Sequence, residues 1–168
     1  MKKLKMETGV LVGIIAITIN IITVTVYVYQ TSIMQSQQHA SVWPYLEWNA
    51  AYNQMDGFTL KVSNKGIGPA LIKQVNMSIG GEEINTLDSL YMRVLGTTFF
   101  PHLEGSIDNR VLPAGQSVRL IVSTDPLWSE KFYYQLLEVP FEMEICYESI
   151  YGDQWTCKGV EVVESKCD

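Results

Sequence analysis

Charge is scarce in this chain. Only 18% of its 168 residues are Asp, Glu, Lys or Arg, against roughly 25% in soluble domains. The 12 basic residues form no run beyond the first few positions, and with 18 acidic residues the net charge is −6. Nucleic-acid phosphates demand a positive footprint, so DNA and RNA are excluded as partners. Length is limited as well. There is room for one compact domain and a short appendage, which excludes a multidomain enzyme. The motifs that carry site chemistry are missing too. There is no Gly-x-Ser-x-Gly elbow, no Asp-rich calcium loop, and no glycine loop followed by Lys-Ser/Thr and a helix start. The expectation is a protein without cofactor, metal or enzymatic activity.

The shortage of charge is concentrated at one end. Residues 8–46 hold no Asp, Glu, Lys or Arg, and residues 9–29 are almost entirely apolar or small. As a helix, about 21 residues at about 1.5 Å each span about 31 Å, which matches a hydrocarbon core of about 30 Å. The segment is rich in Ile, Val and Thr, which in water favours a strand. In lipid only a helix satisfies its own backbone in a single crossing, so the solvent overrides the propensity. Lys2, Lys3 and Lys5 precede the span and the next Lys or Arg is Lys61, which predicts a cytoplasmic residue 1–8 segment and a lipid bilayer crossed once outward. Tyr27 and Tyr29 fall where aromatic anchors meet the far interface. A cleaved secretory signal is the alternative, but its apolar region is shorter and ends at small-x-small. Here the run leads into a Gln- and Ser-rich segment, so a retained signal-anchor is expected.

Small and polar residues share one face of that helix. Gly9, Gly13, Ala16, Asn20 and Thr23, followed by Tyr27, recur at alternating intervals of four and three, the seam of a heptad. Gly9-x-x-x-Gly13 permits close backbone approach, and an Asn at mid-membrane calls for a partner. Self-association, or pairing with a partner membrane protein, is expected. The competing reading has Asn20 bonding its own backbone.

Residues 30–42 read as a helix continuation or stalk. From residue 43 onward, short alternating runs punctuated by Gly, Pro, Asn and Asp predict about seven strands and an immunoglobulin-like β-sandwich. Residues 43–50 form a first strand placed at an edge by Pro44. Phe58, Leu60 and Val62 alternate with Thr59, Lys61 and Ser63. Residues 64–70 supply a connection whose glycines tolerate positive φ. Two short helices are expected at residues 85–95 and 125–137, the second with Asp125 as N-cap and Pro126 at its first position.

Residues 141–150 and 155–163 read as a hairpin about residues 151–154. Phe141, Met143 and Ile145 face one way, and Glu142, Glu144, Cys146 and Glu148 the other. Cys146 and Cys157 are thereby placed on the same outward side, directly opposite or diagonal depending on register. They are the candidate disulfide, with Cys167 left over; the alternative is a reduced pair packed as small apolar side chains. Other candidates are weaker. His102, Glu104, Ser106 and Asp108 include every residue type of a hydrolase triad, without an oxyanion setting. Glu138, Glu142, Glu144 and Glu148 read as a solvated face in preference to a cation site. Trp43, Tyr45, Trp48 and Tyr52 are the candidate contact surface, with packing of the sheet edge as the competing reading.

The combination of Trp43-Pro44-Tyr45-Leu46, a strand opening at Phe58, Asn64-Lys65-Gly66-Ile67-Gly68-Pro69-Ala70 and Cys146-Tyr147-Glu148-Ser149 resembles a loose group of uncharacterised bacterial single-pass membrane proteins. That resemblance implies the bacterial inner membrane and carries no catalytic residue. The expectation is a non-enzymatic, membrane-anchored binding or assembly module with an extracytoplasmic domain at residues 43–168. A pilus-like or secretion-apparatus subunit is the alternative, and a membrane-bound hydrolase a more distant one.

Overall fold

The computed structural model describes residues 8–167; the lysines at positions 2, 3 and 5 therefore lie outside the described residues. The chain divides into two units, Met1–Ala40 and Ser41–Asp168. The described part of the first lies in helix α1, Thr8–Ser41, which runs unbroken through both the apolar span and the Gln/Ser-rich segment and ends on the first residue of the second unit. Its 34 residues correspond to about 51 Å at about 1.5 Å per residue. None of them is buried, and the helix is long and apolar enough to cross a membrane.

The second unit is mainly β. Among its described residues are ten strands: β1 (Leu46–Asn53), β2 (Gly57–Asn64), β3 (Ala70–Ile79), β4 (Glu82–Ile84), β5 (Leu103–Glu104), β6 (Val111–Leu112), β7 (Ser117–Ser123), β8 (Phe141–Glu148), β9 (Gln154–Lys158) and β10 (Glu161–Glu164). Helix α2 (Leu87–Leu95) follows β4, and α3 (Pro126–Glu138) follows β7. One sheet has the order β1-β2-β7-β5, the other β10-β9-β8-β3-β4 with β6 also on β3. Every pairing is antiparallel.

The inward faces of both sheets meet in one core. Phe58, Leu60 and Val62 of β2 and Met143, Ile145 and Tyr147 of β8 are all buried in it, as their alternation demands. Helices α2 and α3 cover an aromatic nucleus in which Phe132 lies 4.6 Å from Phe100 and 4.9 Å from Phe58, centroid to centroid. Both helices begin as capping chemistry requires. Thr86 accepts from the Ser89 N–H at the start of α2, and Asp125 from the Trp128 N–H at the start of α3, with Pro126 in the first turn.

The strand count exceeds the expected seven for physical reasons. β4, β5 and β6 are too short to leave an alternation in the sequence. The expected single run over residues 155–163 is folded back on itself, because Lys158 pairs with Glu161 across a two-residue turn. Gly159 supplies the positive φ of 66° that such a turn needs.

A bulge in β7 shapes the first sheet. Opposite β2 the register shifts between Leu60 and Lys61, so Leu120 and Ile121 together face the core and Arg119 emerges beside Lys61 on the outer surface. One extra residue re-aims the chain in this way.

Candidate functional site

The two motifs at the start of the β unit form one structure. Residues 64–70 lie against the backbone of residues 42–45. The N–H of Lys65 donates to the Tyr45 carbonyl at 2.7 Å, and those of Ile67 and Gly68 donate to the Trp43 carbonyl at 3.0 and 3.3 Å. A Cβ on Gly68 would stand 1.7 Å from the Val42 carbonyl oxygen, and one on Gly66 2.4 Å from that of Trp43. Tolerance of positive φ, the property for which the sequence singled out these two glycines, is not what the fold uses. Neither is among the positive-φ residues; close backbone approach is what excludes a side chain.

Asn64 is the hub of this clasp. Fully buried, its Oδ1 accepts from the N–H groups of Tyr45 and Gly66, and its Nδ2 donates to the carbonyls of Gly68 and Leu112. Its own backbone joins the β6–β7 turn through Gln116 and Gly115. A buried amide with all its groups satisfied fixes one geometry. Sequence reading placed Asn64 only in a turn and missed this role.

The four aromatics of residues 43–52 do not form one patch. Trp48 donates its indole N–H to the Met143 carbonyl at 2.7 Å and packs edge-on against Phe141, so it ties β1 to the opposite sheet. Tyr52 packs against Tyr133 and Tyr134 of α3. Burial and the neighbouring Glu130 push its hydroxyl pKa up. Tyr45 donates to the Val160 carbonyl at 2.8 Å. Trp43 is the most exposed of the four, at 43%, and meets Tyr45 edge-on.

The expected Cys146–Cys157 bridge is also corrected. Cys146 is bonded to Cys167, and Cys157 is a buried free thiol. The β8–β9 register explains why: Glu148 pairs with Gln154, leaving an odd, five-residue loop over 149–153, so Cys157 falls opposite Ile145 and Cys146 opposite Thr156. An odd loop reverses the face that each β9 residue takes. Cys157 therefore enters the core, where burial pushes its pKa up to about 12. Cys146 stays on the outer face, where the terminal segment meets it. That segment is further held by Ser165 on Thr156 and by the Cys167 N–H on Gln154.

The remaining polar candidates are dispersed. His102 Nδ1 contacts the Phe100 carbonyl at 2.6 Å, while Ser106 Oγ reaches Asp108 at 3.5 Å; no hydrogen bond joins His102 to Ser106 among the described residues. Of the carboxylates on β8, Glu148 is paired with Lys73 at 2.6 Å and Glu144 with Lys158 at 2.5 Å. The Lys73 hydrogen bond holds the Glu148 carboxyl below its usual range. An open cleft of about 560 Å³ between β4, α2 and residues 104–108 is walled by Glu83, Asp88, Glu104 and Asp108. No group of three or more His, Cys, Asp and Glu among the described residues is placed to hold a metal ion.

On α1, Gly9, Gly13, Ala16, Asn20 and Thr23 lie on one face by helical geometry. Beyond the adjoining residues and the helix's own backbone, nothing among the described residues comes within 4 Å of a Cβ built on Gly9 or Gly13. Asn20 Nδ2 donates to the Ala16 carbonyl at 2.7 Å, and Thr18, Thr23 and Thr25 likewise bond carbonyls four residues back. These bonds satisfy part of the helix's polar content internally, which lowers its cost in lipid.

A family described as Domain of unknown function (DUF8453) matches residues 8–161. The chain belongs to this family. The DUF8453 match takes in α1 and all of the β unit up to the start of β10, so helix and head are parts of one family unit. No curated protein and no solved structure matches the chain.

Proposed function

We propose that this DUF8453 protein is a single-pass membrane anchor carrying an immunoglobulin-like β head outside the cytoplasm, in the bacterial inner membrane, as a non-enzymatic binding or assembly module. The observation that carries the reading is the surface of α1: 34 residues without a Lys, Arg, Asp or Glu and with none buried. Lipid, or a second helix in lipid, removes such a surface from water. The Cys146–Cys167 bond supports the placement of the head, because disulfides persist in oxidising compartments. The face with Gly9, Gly13, Ala16, Asn20 and Thr23 is the surface through which α1 pairs with a second copy or with a partner membrane protein.

Topology and association are tested separately. Protease added to intact spheroplasts should digest the head, and reporter fusions at the carboxyl end should be active only as periplasmic reporters. A protected head or cytoplasmic reporter activity rejects the orientation. In a membrane dimerisation assay, Gly13→Ile with Asn20→Leu should weaken association, and an unchanged signal rejects the pairing face.

A further inference from the structure

The outer face of the β1-β2-β7-β5 sheet carries an arrangement that the anchor reading does not use. Asn49 of β1 pairs with Lys61 of β2, and Lys61 pairs with Arg119 of β7. The three side chains thus form a row across adjacent strands. Arg119 arrives there because of the β7 bulge that turns Leu120 and Ile121 into the core. Directly opposite residues bring their Cβ atoms to about 4.5–5.5 Å, and like charges so placed destabilise a sheet.

Neither cation is compensated. Lys65, Lys73, Arg93 and Lys158 have carboxylate partners, whereas Lys61 and Arg119 form no ion pair and no side-chain hydrogen bond among the described residues. Glu47 is paired with Lys65 at 3.5 Å, and Asp56 accepts a hydrogen bond from the Asn53 amide at 3.0 Å. Asn49, Thr59, Lys61 and Arg119 line one shallow cavity of about 540 Å³, with Asp56 as the one acid in its wall. A guanidinium, an ammonium and an amide thus border one open cavity.

We propose that the Asn49–Lys61–Arg119 row binds a phosphate monoester group. A monoester phosphate carries close to two negative charges at neutral pH, matching two cations, whereas a carboxylate neutralises one. Arg119 offers the fork that takes two phosphate oxygens, Lys61 a point charge and Asn49 an amide donor. The site lies wholly within the head, so it does not depend on the membrane orientation.

The test uses the full chain in phosphatidylcholine nanodiscs, titrated calorimetrically with inorganic phosphate at constant ionic strength. Phosphate should bind saturably and more tightly than acetate. Lys61→Gln and Arg119→Gln should each weaken it about tenfold or more, the loss of one charge-assisted contact. Lys61→Arg should retain binding. Without phosphate, both Gln variants should melt no lower than the parent, which separates loss of a ligand from loss of the fold. Phosphatidic acid added to the discs names the source: competition with phosphate assigns the site to a lipid headgroup, and no competition to a soluble phosphate ester. Phosphate no better than acetate, or undiminished binding by both Gln variants, overturns the proposal.

Discussion

The side-chain amide of Asn64 donates to the main-chain carbonyl of Leu112, 3.0 Å away and 48 positions along the chain. With its bonds to Gly68, Tyr45 and Gly66, that contact joins β2, the clasp over residues 42–45 and the β6–β7 region. Asn64→Ala strands several buried polar groups at once, and urea unfolding should show a loss of about 3 kcal/mol. Asn64→Asp should be no milder, since it sets a carboxylate oxygen against two carbonyl oxygens.

Gly68 and Gly81 predict different penalties. A Cβ at Gly68 meets the Val42 carbonyl oxygen, whereas one at Gly81 meets nothing but inherits a φ of 82°. Gly81→Ala should cost about 1–2 kcal/mol from the left-handed backbone alone. Gly68→Ala should cost clearly more, because residues 42–45 must move. Thermal melts of the two variants side by side check the order.

The terminal bond sets a third expectation. Intact mass without reductant should show two hydrogens fewer than the reduced chain, and one thiol, that of Cys157, should react only after unfolding. Cys146→Ser or Cys167→Ser should each lose about 3 kcal/mol, the value for a closed loop of about 20 residues. Cys157→Ser should leave the bond in place.

Cys157 also makes stability depend on pH. Its folded pKa, about 12, lies above the ordinary thiol value of 9.0, so above pH 9 the unfolded chain releases a proton that the folded chain keeps. The stabilisation is therefore complete below pH 9 and is lost as pH rises toward 12, by about 1.4 kcal/mol per pH unit at most. Urea unfolding of the parent and of Cys157→Val between about pH 8 and 11 isolates this: the parent's advantage should shrink steadily with pH.

Much of the secondary structure was legible because local chemistry dictates it. Asp125-Pro126 announces α3, the apolar alternation at Phe58, Leu60 and Val62 marks β2, and the charge-free run marks α1. What stayed hidden depends on counting residues across space. Whether the β8–β9 loop is odd or even decides which cysteine faces the tail, and no residue in 149–153 declares it. The β7 bulge was equally silent, since nothing in the residues around Leu120 and Ile121 marks it, and with it went the placement of Arg119 beside Lys61. The glycines at 66 and 68 looked like turn formers; their neighbour on the other side, the backbone of residues 42–45, is visible only once the chain is folded.

The clasp around residues 42–45 has a mechanical consequence. Any tension applied to α1 would enter the β unit at Val42 and Trp43, just before β1, which is an edge strand. An edge strand pulled from its end would unzip one rung at a time. Here three main-chain hydrogen bonds from Lys65, Ile67 and Gly68 grip the chain ahead of the first rung, and Asn64 passes the load to the β6–β7 turn. A pull applied through α1 would thus be shared among several strands before the first of them can peel.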